Sequence, residues 1–509
     1  PTFTLQLGVR GDLYDYKNVD GQSYIKITDQ IAPRLGFSWD PTDTGRNRIY
    51  GSFGDYYLPV ATNTSIRASS GEIYTDQYFA TQRDADGNLI IDESGFPATG
   101  AQLGTTDYFS PPGAPDPRSV IEADLKPMYE REFSLGYDHQ FDGGWFDGWT
   151  AGVRYTHRNL ESTIEDTAIG DAIVRYCTRQ GLSCAENDPG IYPYVLINPG
   201  DAAKVFIDLN GETRADGAGN PNPAYSPEWV NLTTEDLALD KPKRKYDAVE
   251  FSFQRPFDGK WSLQGSYTWA RSKGNYEGAV KSDVGQTDTS ITQDFDHAAN
   301  GLYAYGYLPN DRRHTFKLTG SWSPFSERLN IGANFLMQSG RPYGCIGFVP
   351  RSDGTDPDYA SDTIGAPGGV VDPLAPNSGT PSGWFCPRGA ALADATNASL
   401  RNQMAAVGED PARYENVPTP RGSSGRTDWI YNLDLNVSYK FFDSETRGSA
   451  TARIDVFNVF DGDAVTRVVE QGEVRTSAGG NKNLAAPFYG MPRTYQTPRY
   501  VRLGVSYSF

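Results

Sequence analysis

The chain has 509 residues, a formal net charge of -18 at pH 7 and a mean hydropathy of -0.55. This acidic balance argues against a nucleic-acid partner, because phosphate groups would be repelled. No stretch approaches the roughly 18 consecutive apolar residues of a transmembrane helix. The 54 Gly, 31 Tyr and 25 Phe, with few long apolar runs, suit a barrel of β-strands.

Twelve segments alternate apolar and polar side chains with a period of two, which predicts β-strands. In the last of them, Val501, Leu503 and Val505 share one face with aromatic residues, and small polar residues occupy the other. The first segment begins at once, without a secretion signal, so we expect a mature protein or the C-terminal piece of a longer one. The predicted strands are roughly 2-14, 31-40, 46-58, 127-141, 147-160, 244-256, 260-272, 312-323, 328-338, 427-441, 448-460 and 498-509.

The connections between these strands are alternately short and long. Soluble domains seldom carry several long connections, whereas outer-membrane barrels have short periplasmic turns and long outer loops. The sequence therefore predicts an all-β, antiparallel transmembrane barrel over 1-509, with extracellular loops and a periplasmic C-terminus. The short turns are 41-45, 142-146, 257-259, 324-327 and 442-447, and the loops are about 59-126, 161-243, 273-311, 339-426 and 461-497.

The four cysteines lie in two of the predicted loops. Cys177 and Cys184 share one loop, and Cys345 and Cys386 share another. Paired loop cysteines indicate an oxidising compartment, and pairing within each loop is favoured. Free thiols or a metal site with four ligands are the alternative.

A possible calcium loop is present in the first long connection. Asp84, Asp86 and Asn88 occupy alternate positions, as ligands do in an EF-hand. The glycine and terminal glutamate of that motif are missing from their places, so a hairpin turn is the favoured interpretation. We expect no other cofactor.

Charged residues of both signs lie on the predicted inner faces of the strands. They predict either a wet channel wall or a wall that binds an internal plug. The four histidines lack metal-ligand neighbours at regular spacing, and no motif indicates catalysis, so we predict that the protein is not an enzyme. The inward residues are Glu132, Asp138, Arg154, Glu250, Lys317, Asp434, Lys440, Arg453, Asp455 and Arg502.

Several segments together resemble the C-terminal part of TonB-dependent outer-membrane receptors, in particular the Oar-like group. The most specific are 453-461, which reads Arg-Ile-Asp-Val-Phe-Asn-Val-Phe-Asp, and the terminal strand from Pro498. The other matching stretches are 31-41, 311-320 and 432-435.

This resemblance implies a barrel of 22 strands, of which the chain holds about the last twelve. The N-terminal plug, the TonB-contacting segment and the first barrel half are then expected outside this sequence. The resemblance also implies active transport of an unknown extracellular ligand in the outer membrane, and an assembly signal at Tyr507 and Phe509. The alternatives are a self-contained porin, an outer-membrane hydrolase with a twelve-stranded barrel, or a surface adhesion or partner-binding protein.

Overall fold

A computed structural model describes most of the chain. The residues outside the description are residue 1, some part of every predicted long loop, 326 and 327 of one predicted turn, and 445-447 of another. No described helix is long and apolar enough to cross a membrane. The described residues are 2-69, 75-108, 115-184, 194-212, 221-286, 289, 291-325, 328-347, 383-388, 415-444, 448-476, 482-486 and 488-509.

All twelve predicted strands are confirmed, and they form one antiparallel sheet in which each strand pairs with its neighbours in sequence. The short pair Gly306–Tyr307 adds to the edge of the seventh strand. The strands are β1 Phe3–Lys17, β2 Ser23–Trp39, β3 Asn47–Leu58, β4 Met128–Gln140, β5 Thr150–Ser162, β6 Arg244–Arg255, β7 Trp261–Gly274, β8 His314–Trp322, β9 Leu329–Gln338, β10 Ile430–Ser444, β11 Gly448–Phe457 and β12 Tyr500–Ser508.

One strand begins much earlier than predicted. The alternation indicated a start of β2 at residue 31, whereas the strand begins at Ser23 and pairs with the end of β1. A register shift between Asp12 and Tyr14 interrupts the pairing there. Such a bulge changes which side chains share a face, so the period of two is lost locally although the strand continues.

The sheet has one apolar and one polar face over most of its length. The ladder places Leu5 opposite Phe37, and Leu7 opposite Leu35, on the outward face. Leu503 on β12 is 74% exposed. A row of exposed apolar side chains on an antiparallel sheet is typical of a surface that contacts lipid.

The sheet is open in the part of the chain that the structure describes. There, β1 pairs only with β2, and β12 pairs only with β11. The outer backbone groups of both edge strands therefore have no partner strand within the described residues. An edge of this kind is not tolerated inside a lipid bilayer, where water cannot satisfy N–H and C=O groups.

The long connections contain folded structure at one end of the sheet. Two helices of one connection, α1 Gly170–Gln180 and α2 Thr234–Leu237, enclose an apolar cluster that includes Ile173 and Val205. The other described helices are Thr62–Ser69, Gly144–Phe146 and Ala298–Gly301. The hairpin pairs are Thr75–Thr81 with Thr99–Tyr108, Glu165–Ala168 with Tyr194–Ile197, Ala203–Ile207 with Glu228–Leu232, Pro342–Tyr343 with Gly425–Arg426, Phe385–Arg388 with Glu415–Pro418, Val465–Val468 with Pro492–Tyr495, and Glu473–Thr476 with Lys482–Ala485.

The fold predicts a position-specific cost for adding side chains to the outward glycines. A Cβ on Gly51 would lie 2.7 Å from the Phe37 ring, whereas a Cβ on Gly11 would meet nothing within 4 Å. We expect Gly51→Val to destabilise the barrel by about 1-3 kcal/mol, because the ring must move. Gly11→Val should leave stability unchanged. The stability of each variant is measured from the folded fraction of membrane-extracted protein in increasing urea. Equal urea midpoints for the two variants would contradict this packing.

Candidate functional site: a charged sheet face beneath an ordered loop assembly

The register places the ten charged residues of the sequence prediction on one face of the sheet, opposite the exposed apolar row. We call it the inward face, and its contact with a lumen or plug stays a prediction. The register puts Arg154 opposite Glu250, and Asp455 opposite Arg502. Residues two apart along a strand share a face, and residues opposite each other on neighbouring strands share it too. The remaining predicted residues can therefore be traced to the face of Arg154 and Glu250. The remaining pairings that establish this are Glu132 with Arg158, Asp138 with Arg48, Lys317 with Ser266, Asp434 with Asn334, Lys440 with Thr451, and Arg453 with Ser438.

Many of these charges pair across neighbouring strands. The distance from an Arg154 nitrogen to a Glu250 oxygen is 3.0 Å, and Arg158 approaches Glu132 to 2.5 Å. Asp455 lies between Arg453 and Arg502, at 2.8 and 3.0 Å. These distances show that the inward face carries cation–anion pairs rather than one uniform sign of charge.

Sequence reasoning missed several cations of this face, and three of them form pairs with its acidic residues. Arg48 pairs with Asp138 at 2.5 Å, and Arg244 pairs with Glu130 at 2.6 Å. Arg158 is the third. Arg48 and Arg158 lie in predicted strands, at positions two or four residues from inward side chains, so strict alternation would have found them.

Lys317, Asp434 and Lys440 also occupy the predicted face. Lys317 lies opposite Ser266 and Leu336 in the ladder. Asp434 accepts hydrogen bonds from the Asn432 amide at 3.0 Å and from the backbone N–H of Asn458 at 2.9 Å. The Asp434 carboxylate thus helps to fix the chain where it leaves β11.

Above this face, three connections converge in what we call the loop assembly, the described parts of 275-313, 339-429 and 458-499. Its centre is a buried ion network. The Arg421 guanidinium donates to Asp283 at 2.6 Å and to Asp294 at 3.3 Å, and Lys281 contacts Asp294 at 2.6 Å. The Trp384 ring lies 5.0 Å from the Arg421 guanidinium. All five side chains are almost inaccessible to water.

The same network extends to the last connection. Arg341 pairs with Glu470 at 2.7 Å and approaches Asp283 to 3.6 Å. The second Glu470 oxygen accepts the backbone N–H of Gly344 at 2.8 Å. Burial alone would raise the pKa of Asp294, but Arg421 and Lys281 outweigh it and hold that pKa below its ordinary value. The network therefore keeps a carboxylate ionised in a dry interior.

A further buried carboxyl joins two of the connections. Glu165 accepts the backbone N–H of Thr292 at 2.6 Å, and Thr167 donates to the carbonyl of Phe295 at 2.9 Å. Complete burial raises the pKa of Glu165 well above its usual range. Burial thus disfavours the ionised form of this carboxyl, and the hydrogen bond from Thr292 gives one of its oxygens a partner in the dry interior.

Both predicted cysteine pairs are confirmed within their own loops. Cys177 on α1 bonds to Cys184, with 6.2 Å between their Cα atoms. Cys345 bonds to Cys386, with a Cα separation of 5.5 Å, and both flank the segment that contains Trp384. The second bond therefore closes the chain beside the buried ion network.

The candidate calcium residues form a turn. Asp84 accepts the backbone N–H groups of Asp86 and Asn88 at 2.9 Å each, and Gly87 adopts a positive φ of 86°. The favoured turn is therefore present, and calcium binding by these oxygens stays a prediction. Within the described residues there is no group of three or more His, Cys, Asp or Glu side chains that could hold a metal.

The two aromatic residues of the predicted assembly signal stack on each other. The rings of Tyr507 and Phe509 are 6.1 Å apart and nearly parallel, and both are exposed. Tyr507 lies on the outward face with Leu503 and Val505. Their recognition during assembly stays a prediction.

The sequence matches a known protein family over most of its length. The family is described as an outer membrane beta barrel domain, and the match covers residues 4-464. The chain belongs to this outer-membrane barrel family. The predicted fold class is therefore confirmed, and so is localisation in the outer membrane.

A curated relative supports the resemblance to the Oar-like group. The chain is 24% identical over 548 aligned residues to the TonB-dependent transporter Oar of Myxococcus xanthus. The alignment covers 99% of this chain and 41% of the relative. The predicted resemblance is confirmed, and the chain spans about two fifths of the length of that relative.

Two solved structures align with nearly the whole chain at low sequence identity. The transporter YddB of Escherichia coli is 12% identical, with a TM-score of 0.45, and the match covers 100% of this chain and 43% of YddB. The FrpB iron transporter of Neisseria meningitidis is 10% identical, with a TM-score of 0.41, and the match covers 99% of this chain and 43% of FrpB.

The buried ion network predicts that loss of one cation will open the loop assembly. Arg421→Met leaves Asp283 and Asp294 short of a partner in a dry interior, which should cost the assembly about 3-5 kcal/mol. Hydrogen exchange should accelerate in 281-294 and 415-428 but not in the strands. Arg10→Met, which breaks the exposed pair with Asp12 on β1, serves as the control and should change nothing. Unchanged exchange in both variants would contradict the role given to Arg421.

The buried carboxyl of Glu122 predicts that the stability of the folded state depends on pH. Burial raises the pKa of Glu122 to about 7, although its carboxylate accepts the backbone N–H of Asn198 at 2.7 Å. The folded state therefore holds a proton that the unfolded state releases near pH 4.5, so stability falls as the pH rises from about 4.5 to 7. The loss amounts to roughly 2-3 kcal/mol.

Hydrogen exchange of 119-126 and 194-201 at pH 5 and pH 8 measures this effect. We expect protection to fall at the higher pH in the wild type. Glu122→Gln keeps an oxygen that can accept from Asn198 and removes the titration, so its protection should be the same at both pH values. A pH-independent wild type would show that Glu122 does not titrate as its burial requires.

Proposed function

We propose that this chain is the C-terminal barrel part of a TonB-dependent active transporter of the outer membrane, in which the loops capture an extracellular ligand. The similarity to the transporter Oar over 99% of the chain supports this proposal. The observation that carries it is the loop assembly above the paired charges of the inward face. A passive pore needs no buried ion network between its loops.

The open sheet edges support the proposed partners. Residues 3-17 and 500-508 each have one edge without a partner strand among the described residues. We propose that the first barrel half of the same polypeptide pairs with both edges, because lipid cannot satisfy them. An N-terminal plug would then contact the inward charges, and TonB would act through that plug.

The proposed orientation places the loop assembly outside the cell and the C-terminus in the periplasm. The two disulfides support an oxidising environment around the loops. The short connections at the opposite end support a periplasmic location for the turns. An enzyme of twelve strands is less consistent with the open sheet, and the curated relative is a transporter by its description.

A surface-binding role is the second candidate, and one hairpin favours it. The pair Thr75–Thr81 and Thr99–Tyr108 exposes Tyr78 and Leu103, and the connection between the two strands exposes Phe96. Exposed apolar side chains on one hairpin are a feature of sites that contact another protein.

Uptake in the native host tests the transport proposal. We expect some solutes of a complex growth medium to be depleted by the wild type, but to remain when either this gene or TonB is deleted. Mass spectrometry of the spent medium measures the depletion. The physical reason is that a plugged barrel admits its ligand only when energy is supplied from the inner membrane.

Two control strains separate the alternatives. Full-length protein carrying Lys260→Gln should restore depletion, because that exposed side chain lies at a short turn, away from the loops. A strain lacking 82-98 tests the hairpin, and normal depletion with lost attachment to surfaces would favour the second candidate. Depletion that does not depend on TonB would overturn active transport.

A further inference from the structure

Five cations lie together where β6 and β7 meet the long connections. Lys245 and Lys273 are opposite each other in the ladder, on the outward face, and Arg271 is two residues further down β7. Lys241 and Lys243 continue the same alternation before β6. Four of the five side chains are exposed, and Lys273 is half-buried. This concentration of positive charge is unusual in a chain with a net charge of -18.

The backbone that presents these lysines is held in place. Lys243 donates its N–H to the Asn275 side chain at 2.6 Å and accepts the Asn275 N–H at 3.0 Å. The Asn275 amide also donates to the carbonyl of Lys241 at 3.1 Å. The ladder between the two strands thus continues beyond its regular end, and the cations project from an ordered surface.

Nearby carboxylates do not neutralise the cluster. Among the described residues, none of the five cations forms an ion pair with a carboxylate. Asp247 accepts from Tyr155 at 2.7 Å and contacts His157 at 2.8 Å. Asp311 is engaged by Arg313 and Arg426. Asp247 also lies opposite Arg271 in the ladder, and Asp240 precedes Lys241, but two carboxylates against five cations leave the cluster with a net positive charge.

Tyr307 lies beside the cluster, and its pKa is affected by the positive charges. The Lys273 nitrogen lies 4.2 Å from the centre of the Tyr307 ring. A hydrogen bond from Arg313, together with the charges of Lys273 and Arg271, lowers the pKa of Tyr307 below its ordinary value. An anion held at this position would be stabilised in the same way.

The position of the cluster along the strands, relative to exposed aromatic residues, indicates which layer of the bilayer it contacts. Trp269 and Phe251 are exposed on the same outward face, below the cations. Trp residues mark the boundary between hydrocarbon and headgroups. Arg271 is two residues above Trp269 and Lys273 is four above it, so the charges stand about 5-10 Å higher for tilted strands. That distance corresponds to the headgroup layer of a bilayer.

We propose that these five cations bind the phosphate groups of a lipid in the outer leaflet, a phosphorylated glycolipid of the lipid A class. The choice of leaflet rests on the orientation given under the proposed function. Ammonium and guanidinium groups above an aromatic band match a ligand with acyl chains below and phosphates above. The binding surface is outside the barrel, so it is separate from the inward charges.

Native mass spectrometry of the full-length protein in a nonionic detergent tests this inference. The probes are bis-phosphorylated lipid A, lipid A with both phosphates removed, and inorganic phosphate. We expect the wild type to retain the first, to bind the second at least tenfold more weakly, and to show no competition from the third. Equal binding of the two lipids would overturn the proposal.

Matched variants locate the site. The triple variant Lys243→Gln, Lys245→Gln and Arg271→Gln should weaken lipid A binding on the order of a hundredfold, because each cation near an anionic membrane contributes about a factor of five. A control removes three exposed cations at the short-turn end and should bind like the wild type. If both triples bind equally, the assigned position is wrong. The control substitutions are Arg46→Gln, Lys260→Gln and Arg328→Gln.

The uptake assay distinguishes this inference from the proposed function. The lipid site lies outside the barrel, so the triple variant should keep TonB-dependent depletion of the medium. Normal depletion with unchanged lipid binding in the triple variant overturns only the lipid site. Loss of TonB dependence in the wild type, with lipid A binding intact, overturns only transport.

Retention of soluble heparin in place of lipid A would show that the cations bind an acidic polysaccharide, and would overturn the lipid assignment.

Discussion

The constraint on which the whole structure depends is the need of every backbone N–H and C=O group in lipid for a partner. The antiparallel ladder satisfies this need between strands, and it also fixes the register. The register then determines which residues face inward, so that Arg154 meets Glu250 and Asp455 meets Arg502. The paired charges of the inward face are thus a consequence of the backbone pairing.

The ladder also supplies a platform for the long connections. Their ends are held at fixed positions by neighbouring strands, which reduces the entropy lost when distant segments meet. Arg421 and Asp283 are 138 residues apart in sequence, yet they form a direct pair in a dry interior. Since an unpaired buried charge is costly, the network favours one arrangement of the three connections over others.

The sequence predicted the strands because a period of two survives wherever one face meets lipid and the other meets polar groups. It missed nearly half of β2, the part before residue 31, where a bulge breaks that period. The inward charges could be assigned to a face, but their partners could not, because Asp138 and Arg48 belong to strands 90 residues apart. The loop assembly was not predictable at all, since Lys281, Asp294 and Trp384 carry no local pattern. Only the pair Cys345 and Cys386 gave a signal there, because both cysteines belong to one connection.

The long-range pairs of the loop assembly impose an order on biogenesis. Segments that far apart cannot find each other until the strands between them have been inserted and registered. The assembly therefore closes last, after the chain is already anchored in the membrane. During that interval Trp384, which is fully buried in the mature protein, is open to water and to proteases. Resistance of the bonds around this tryptophan to proteolysis therefore marks the step at which the connections close, separately from insertion of the strands.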